Sequence, residues 1–153
     1  MNPEQFKFKT QVRVRNHEVD WQGIVHNAVY LLYFEIGRAE YLKNLGVKID
    51  INSIQHDYKV VLVRNEINYI SPARFDELLD VHSRIARIGN TSFTFEGYIE
   101  EATTKRFVSE NNAVHVWIDP RTNESAKVSD NFRKLVQKFE GNNVAIEWQL
   151  FST

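Results

Sequence analysis

The chain has no cysteine among its 153 residues, which excludes disulfides, thiolate metal ligands and a cysteine nucleophile. Neither sign of charge dominates: the formal net charge is −1, so the electrostatic footprint of a nucleic-acid or anionic-membrane binder is missing. No apolar run approaches the roughly 18 residues that a membrane span needs, and the opening MNPEQFKFKT lacks the apolar core of a signal peptide. A cytoplasmic location is expected. The five histidines, His17, His26, His56, His82 and His115, form no i, i+4 pair, so no metal site is expected. Gly-rich phosphate loops and a Gly-x-Ser-x-Gly elbow are also missing.

What is present is an ordinary globular composition, 42% hydrophobic and 25% charged, in a length that suits one domain with a core. The chain is organised around Asn16 to Gly46. Between Ala28 and Leu45 there is no proline and one glycine, Gly37. Val29, Tyr30, Leu31, Leu32, Tyr33, Phe34 and Ile36 make the first half of this helical stretch apolar nearly all round, which predicts a buried core helix. Asn27 suits its N-cap and Gly46 its C′ position. Glu35 and Arg38 are spaced to pair along a wetter side.

Around this helix the pattern is β-rich. Phe6 to Arg15 alternates apolar and polar residues, as a half-buried strand does. Val47 to Gln55 is ambiguous between an extended piece and a helical turn. Four further β-rich runs follow: Tyr58 to Ile70, the strand of Leu79, Val81 and Ile85, the run from Phe93 to Ile99, and Lys105 to Ile118. Gly89-Asn90 marks a hairpin and Ser71-Pro72 a break. Ser129 or Asp130 caps a short helix through Lys138. One strand, one long helix and consecutive antiparallel strands predict an α+β domain over residues 1–140, a curved sheet wrapped around the helix. Residues 141–153 read as a tail that docks on the sheet or on a neighbouring subunit. A surplus of apolar strand faces predicts an oligomer, sheet beside sheet.

The stretch DWQGIVHNAVYLLYFEIGRAEYL resembles the signature of the 4-hydroxybenzoyl-CoA thioesterase family, through Asp20, Gly23, Asn27, Tyr30, Glu35 and Arg38. VVLVRNEINYISPARFDELLDV, with Pro72, Ala73, Arg74 and Asp76, is similar to the strand–turn–strand of the same family, and IGNTSFTFEGYI to its next hairpin. The resemblance runs from about Val12 to Pro120. It implies the hotdog fold, hydrolysis of acyl-CoA thioesters without a cofactor, and a homodimer or homotetramer with active sites at the subunit interface. An acyl carrier protein in place of CoA is left open.

Thioester hydrolysis needs a nucleophile or base at the carbonyl carbon and donors where charge develops on oxygen. The resemblance assigns the first role to Asp20 and the second to the amide of Asn27. Asp is also a common turn residue, and that reading of Asp20 stands beside it. His26 is placed either to assist the leaving group or to orient the loop. Gly23 and Tyr30 belong to the same substrate-binding turn. Glu35 is the competing carboxylate, with a helix salt bridge as its alternative, and Thr91 and Ser92 are candidate contacts from the hairpin. Tyr30, Tyr33, Phe34 and Tyr58 are candidates for the acyl pocket. Arg64, Arg74, Arg84 and Arg87 are candidates for the CoA phosphates, each equally a solvated strand residue. Two other functions remain open: a hotdog hydratase or dehydratase, and a non-catalytic acyl-thioester binder.

Overall fold

The computed structural model describes residues 1–56 and 59–148; Tyr58 and the tail residues Leu150 and Phe151 lie outside the described residues. The strands are β1 (Phe8–Arg13), β2 (Val60–Tyr69), β3 (Leu78–Ile88), β4 (Ser92–Glu101), β5 (Phe107–Trp117) and β6 (Ala145–Ile146); the helices are α1 (Val29–Asn44), α2 (Ile51–His56) and α3 (Asp130–Glu140). The sheet runs in the order β1-β3-β4-β5-β2, and β6 pairs with β3 in parallel. This is the α+β antiparallel sheet with a central helix that defines the hotdog fold. Among the described residues no helix is long and apolar enough to cross a membrane.

Two compact units divide the chain. The first comprises Met1–Tyr41, Glu66–Arg84 and Glu96–Asn111. Its core gathers Tyr30, Tyr33 and Phe34 of α1 against Leu79 and Val81 of β3, Ile99 of β4 and Val108 of β5. Two glycines set how closely the helix approaches the strands. A Cβ built on Gly37 would lie 2.7 Å from both Ser83 Oγ and Val81 Cγ1, and one on Gly97 would lie 3.0 Å from a ring carbon of Phe34. A methyl group at Gly37 would force its neighbours to shift, and one at Gly97 would press on the Phe34 ring.

Alternation in β1 matches its burial, every second residue facing inward, and β1 pairs with β3 from Phe8↔Ser83 to Arg13↔Leu78. In β3 the polar row is buried as well. Asp80 and Arg84 are almost wholly enclosed, with side chains of β1, β4 and the N-terminal segment around them. Lys9 and Gln11 donate to Asp80, Arg84 pairs with Glu96 at 3.0 Å, and the Phe6 ring lies under the Arg84 guanidinium and edge-on to Tyr98.

Helix α1 departs from the all-round burial its composition predicts: Leu32 and Ile36 are 55% and 43% exposed. Nor does Arg38 line a wet side with Glu35. It turns inward and donates to Asn111 Oδ1 at 3.1 Å, while Asn111 donates to the Glu66 carbonyl, and burial draws the guanidinium below the ordinary arginine value. Glu35 stays exposed. When nearly every position is apolar, periodicity carries no information about which side faces the sheet.

The second unit comprises Leu42–Asn65, Ile85–Phe95 and the segment from Asn112 onward. Gly46, at φ +92°, closes α1 as expected: its N–H donates to the Lys43 carbonyl and that of Val47 to Leu42, the double bond pattern of a Schellman end. Residues 51–56 resolve the ambiguous stretch as a short helix. Ser129 caps α3 by accepting from the Phe132 N–H. Phe93, Trp117 and Phe132 pack on one another, and the Phe93 ring stacks on His115. Arg133 is fully buried, and its guanidinium donates to the carbonyls of Val128, Glu147, Gly89 and Asn90.

Candidate active site

Just ahead of α1 the chain makes a tight turn. Asp20 N–H donates to the Ile24 carbonyl, Gly23 N–H to the Asp20 carbonyl, and Val19 bridges to Val25. Gly23 sits at φ +81°, in the left-handed region where a side chain is strained. Asp20 Oδ1 accepts from the Gln22 N–H at 2.8 Å, so the carboxylate is itself part of the turn. Glu18 anchors the segment from below. Its carboxylate accepts from Arg15 N–H and from the Tyr33 hydroxyl, and its carbonyl from His26 N–H. Burial, then the Glu18 carboxylate, push the Tyr33 phenol far above its ordinary value.

The helix starts at Val29 rather than at the residue after Asn27. Its opening is held by His26, whose Nδ1 accepts from the Ala28 N–H at 3.2 Å and whose carbonyl accepts from the Val29 N–H at 2.9 Å. Asn27 is therefore not the N-cap. Two consequences follow. An acceptor Nδ1 places the proton of the neutral ring on Nε2. In a trans peptide the C=O and N–H point in opposite directions, so the His26 carbonyl turned toward Val29 turns the Asn27 N–H away from the first helical turn. That N–H has no acceptor among the described residues.

A cavity of about 470 Å³ opens beside this loop, lined by Asp20, His26, Asn27 and Tyr30 and, from the far end of β2, by Tyr69 and Ser71 among others. The two sides are stitched by Val25 N–H to the Ala73 carbonyl and by Ala73 N–H to the Tyr30 hydroxyl. Burial raises the Tyr30 phenol. The lining thus combines Asp20, His26 and Asn27 with the apolar residues Ile24, Val25, Ile70 and Pro72.

Three of the expected residues, Asp20, His26 and Asn27, meet here with Tyr30, and Gly23 shapes their turn. Glu35 lies further along α1, exposed and not among the lining residues. Thr91 and Ser92 belong to the hairpin of the second unit. Of the arginines proposed for phosphates, Arg84 is buried against Glu96 and Arg87 lies 3.6 Å from Glu147. Sequence reasoning does not single out Tyr69, Ser71 and Pro72 as lining residues, although the Ser71-Pro72 break that bends the chain there is visible in it.

The described residues contain one cluster with metal-ligand donors, Asp80, His82 and Glu100, whose donor atoms lie within 4.8 Å of one another. It sits on the other face of β3 from Val81 and Ser83, which meet α1 at Gly37. Lys9 and Lys105 approach Asp80 Oδ2 at 3.0 and 3.3 Å, and Lys105 is 3.9 Å from Glu100. Two ammonium groups already balance the two carboxylates, which leaves little attraction for a divalent cation. The cluster is an ion-pair network.

Residues 22–107 match the model of the thioesterase superfamily. The chain belongs to that family. Within it, the acyl-acyl carrier protein thioesterase ATL3 of Arabidopsis thaliana is 26% identical over 72% of this chain and 58% of its own length. The acyl-CoA thioester hydrolase YbgC of Escherichia coli O157:H7 is 27% identical over 74% of this chain and 83% of its own length. A thioesterase of Thermus thermophilus, solved in complex with coenzyme A and zinc, superposes with a TM-score of 0.78 at 25% identity, covering 90% of this chain and 97% of that one. The chain spans less than two thirds of the length of the first curated relatives it matches.

Proposed function

We propose that the chain hydrolyses an acyl-CoA thioester to a free carboxylic acid and CoA. The observation that supports this reading is that Asp20 and Asn27, whose N–H has no acceptor among the described residues, both line one cavity at the start of α1. Such a cavity offers both requirements of acyl transfer, a base or nucleophile and a donor for the developing oxyanion. Asp20 takes a proton from the water that attacks the thioester carbonyl carbon, or attacks that carbon itself, in which case a water then cleaves the resulting acyl–Asp20 anhydride to free the acid and restore the carboxylate. Negative charge gathering on the carbonyl oxygen is met by the Asn27 N–H, which no protein group has to vacate. Collapse of the tetrahedral species breaks the C–S bond and expels the CoA thiolate, which takes up a proton. In the first case that proton is the one the attacking water gave to Asp20, and the Nε2–H of His26 is suited to hydrogen-bond the departing sulfur from the cavity wall. The names of the relatives support the reaction class and leave CoA and acyl carrier protein both open as the acyl donor.

The assembly belongs to the same proposal. β2 is the terminal strand of the sheet order, and Val61, Leu62 and Val63 along it are exposed. An unpaired apolar edge is a template for a second strand, and a second copy of this chain is the partner that fits the reading.

Thiol release from a panel of aromatic and short- to long-chain acyl-CoAs tests the function. Wild type should turn over at least one of them, and Asp20→Asn should lower kcat/KM by about 100-fold or more. Binding without turnover by the wild type would instead support the non-catalytic alternative. Equal turnover by both proteins would move the carboxylate role to Glu35.

A further inference from the structure

We propose that Tyr69 is a positioning residue whose hydroxyl, acting through the Asn27–Ala28 peptide, fixes the His26 ring as its Nε2–H tautomer and holds the loop that carries the Asn27 N–H; the catalytic part of this proposal rests on the thioesterase reading. Tyr69 ends β2 and its side chain is 53% exposed, yet its hydroxyl donates to the Asn27 carbonyl at 2.9 Å across 42 residues of sequence. That carbonyl and the Ala28 N–H are the two ends of one peptide group. The Ala28 N–H donates in turn to His26 Nδ1 at 3.2 Å. The three groups form a directed chain, from phenol O–H through the peptide to the imidazole.

Each link strengthens the next. A donor on a peptide carbonyl increases the polarity of the N–H at the opposite end, as in any hydrogen-bond chain. An imidazole nitrogen facing a well-polarised N–H must be unprotonated, so the ring proton resides on Nε2. That is the form able to donate a hydrogen bond on the cavity side, where His26 is a lining residue. The phenol is aimed by its own surroundings: its ring stands edge-on to Tyr30 at 5.4 Å, and the Tyr30 hydroxyl is tied to the Ala73 N–H. Edge strand, core tyrosine and the loop before α1 are thereby linked through one hydroxyl. This bond adds a long-range tie to the local ones that hold the loop, Ala28 N–H to His26 Nδ1 and His26 N–H to the Glu18 carbonyl.

Tyr69→Phe keeps the ring and its contact with Tyr30 and removes only the O–H. Two measurements decide the matter. In the wild type at neutral pH, nitrogen-15 NMR of His26 should show an unprotonated Nδ1 and a protonated Nε2; in Tyr69→Phe the resonances should move toward a mixture of the two tautomers. Steady-state kinetics on a thioester that the wild type hydrolyses should show kcat falling about tenfold while KM changes by less than about twofold, as expected when a catalytic group is loosened and substrate binding is kept. A His26 tautomer unchanged by the substitution overturns the proposal whatever the activity. Hydrolysis by the wild type with an equal kcat in the variant overturns its catalytic part alone. Absence of hydrolysis in the wild type overturns the thioesterase reading and leaves the tautomer measurement to decide the role of Tyr69.

Discussion

Asp80 and His82 occupy alternate positions on β3, and both titrate abnormally for physical reasons that differ. Burial alone would raise the Asp80 carboxyl; the hydrogen bonds from Gln11, Lys9 and Lys105 outweigh it and hold the group below its ordinary value of 3.8. For His82, burial draws the imidazole below its ordinary 6.5, and the bond to Glu100 at 3.0 Å offsets only part of that. Both shifts point downward, so in each case the unfolded chain binds a proton that the folded chain refuses. Stability from these groups is complete above the unfolded values. It is lost as pH falls below 6.5 for His82 and below 3.8 for Asp80. Thermal midpoints recorded between pH 7.5 and pH 5 should therefore decline, and His82→Gln should flatten that decline. An identical slope in the variant would refute the assignment to His82. This cluster also marks a limit of reading by spacing. A search for i, i+4 histidines finds nothing, because Asp80, His82 and Glu100 become neighbours only when β3 and β4 pair. Asp20, His26 and Asn27, by contrast, are close in sequence, and one short turn is enough to put them on the same cavity.

Among the elements, α1 shows what the sequence discloses and what it hides. Its extent and its Gly46 ending were readable, because a left-handed C′ glycine has a local signature. Its orientation was not. Arg38 faces Asn111 inside, and Leu32 and Ile36 face outward, a choice made by the sheet rather than by the helix. The N-cap failed at Asn27 because the helix begins at Val29, and the Val29 N–H is already held by the His26 carbonyl. Close packing gives a direct test. Gly37→Ala places a methyl group 2.7 Å from Ser83 Oγ and Val81 Cγ1, and overpacking of this kind should cost about 1–3 kcal/mol in chemical denaturation. Gly46→Ala meets no clash, but its φ of +92° should cost about 1 kcal/mol. A larger loss at Gly46 than at Gly37 would contradict this account of how the helix sits.

For the molecule as a whole, the proposed assembly turns on the exposed apolar residues Val61, Leu62 and Val63 of β2. Replacing Val63, 57% exposed, by Lys should leave the fold intact and shift the particle to a single chain in light scattering, since charge on an edge strand opposes pairing. An unchanged particle mass would exclude β2 as the interface. The apolar excess that predicts assembly was visible in the composition of the strands. That β2 is the terminal strand was not, because strand order depends on pairings between distant segments.

Arg133 has a different kind of consequence. Its guanidinium is held by the carbonyls of Val128, Glu147, Gly89 and Asn90, with the ring of Trp148 beneath it. A guanidinium bound to carbonyl oxygens has no counter-ion whose protonation could release it, and it keeps its own proton at any ordinary pH. The clasp between α3 and the β3–β4 hairpin is thus insulated from acid, whereas the carboxylate-bonded lysines at Asp80 loosen as their partner is protonated. A fall in local pH therefore leaves this fastening in place.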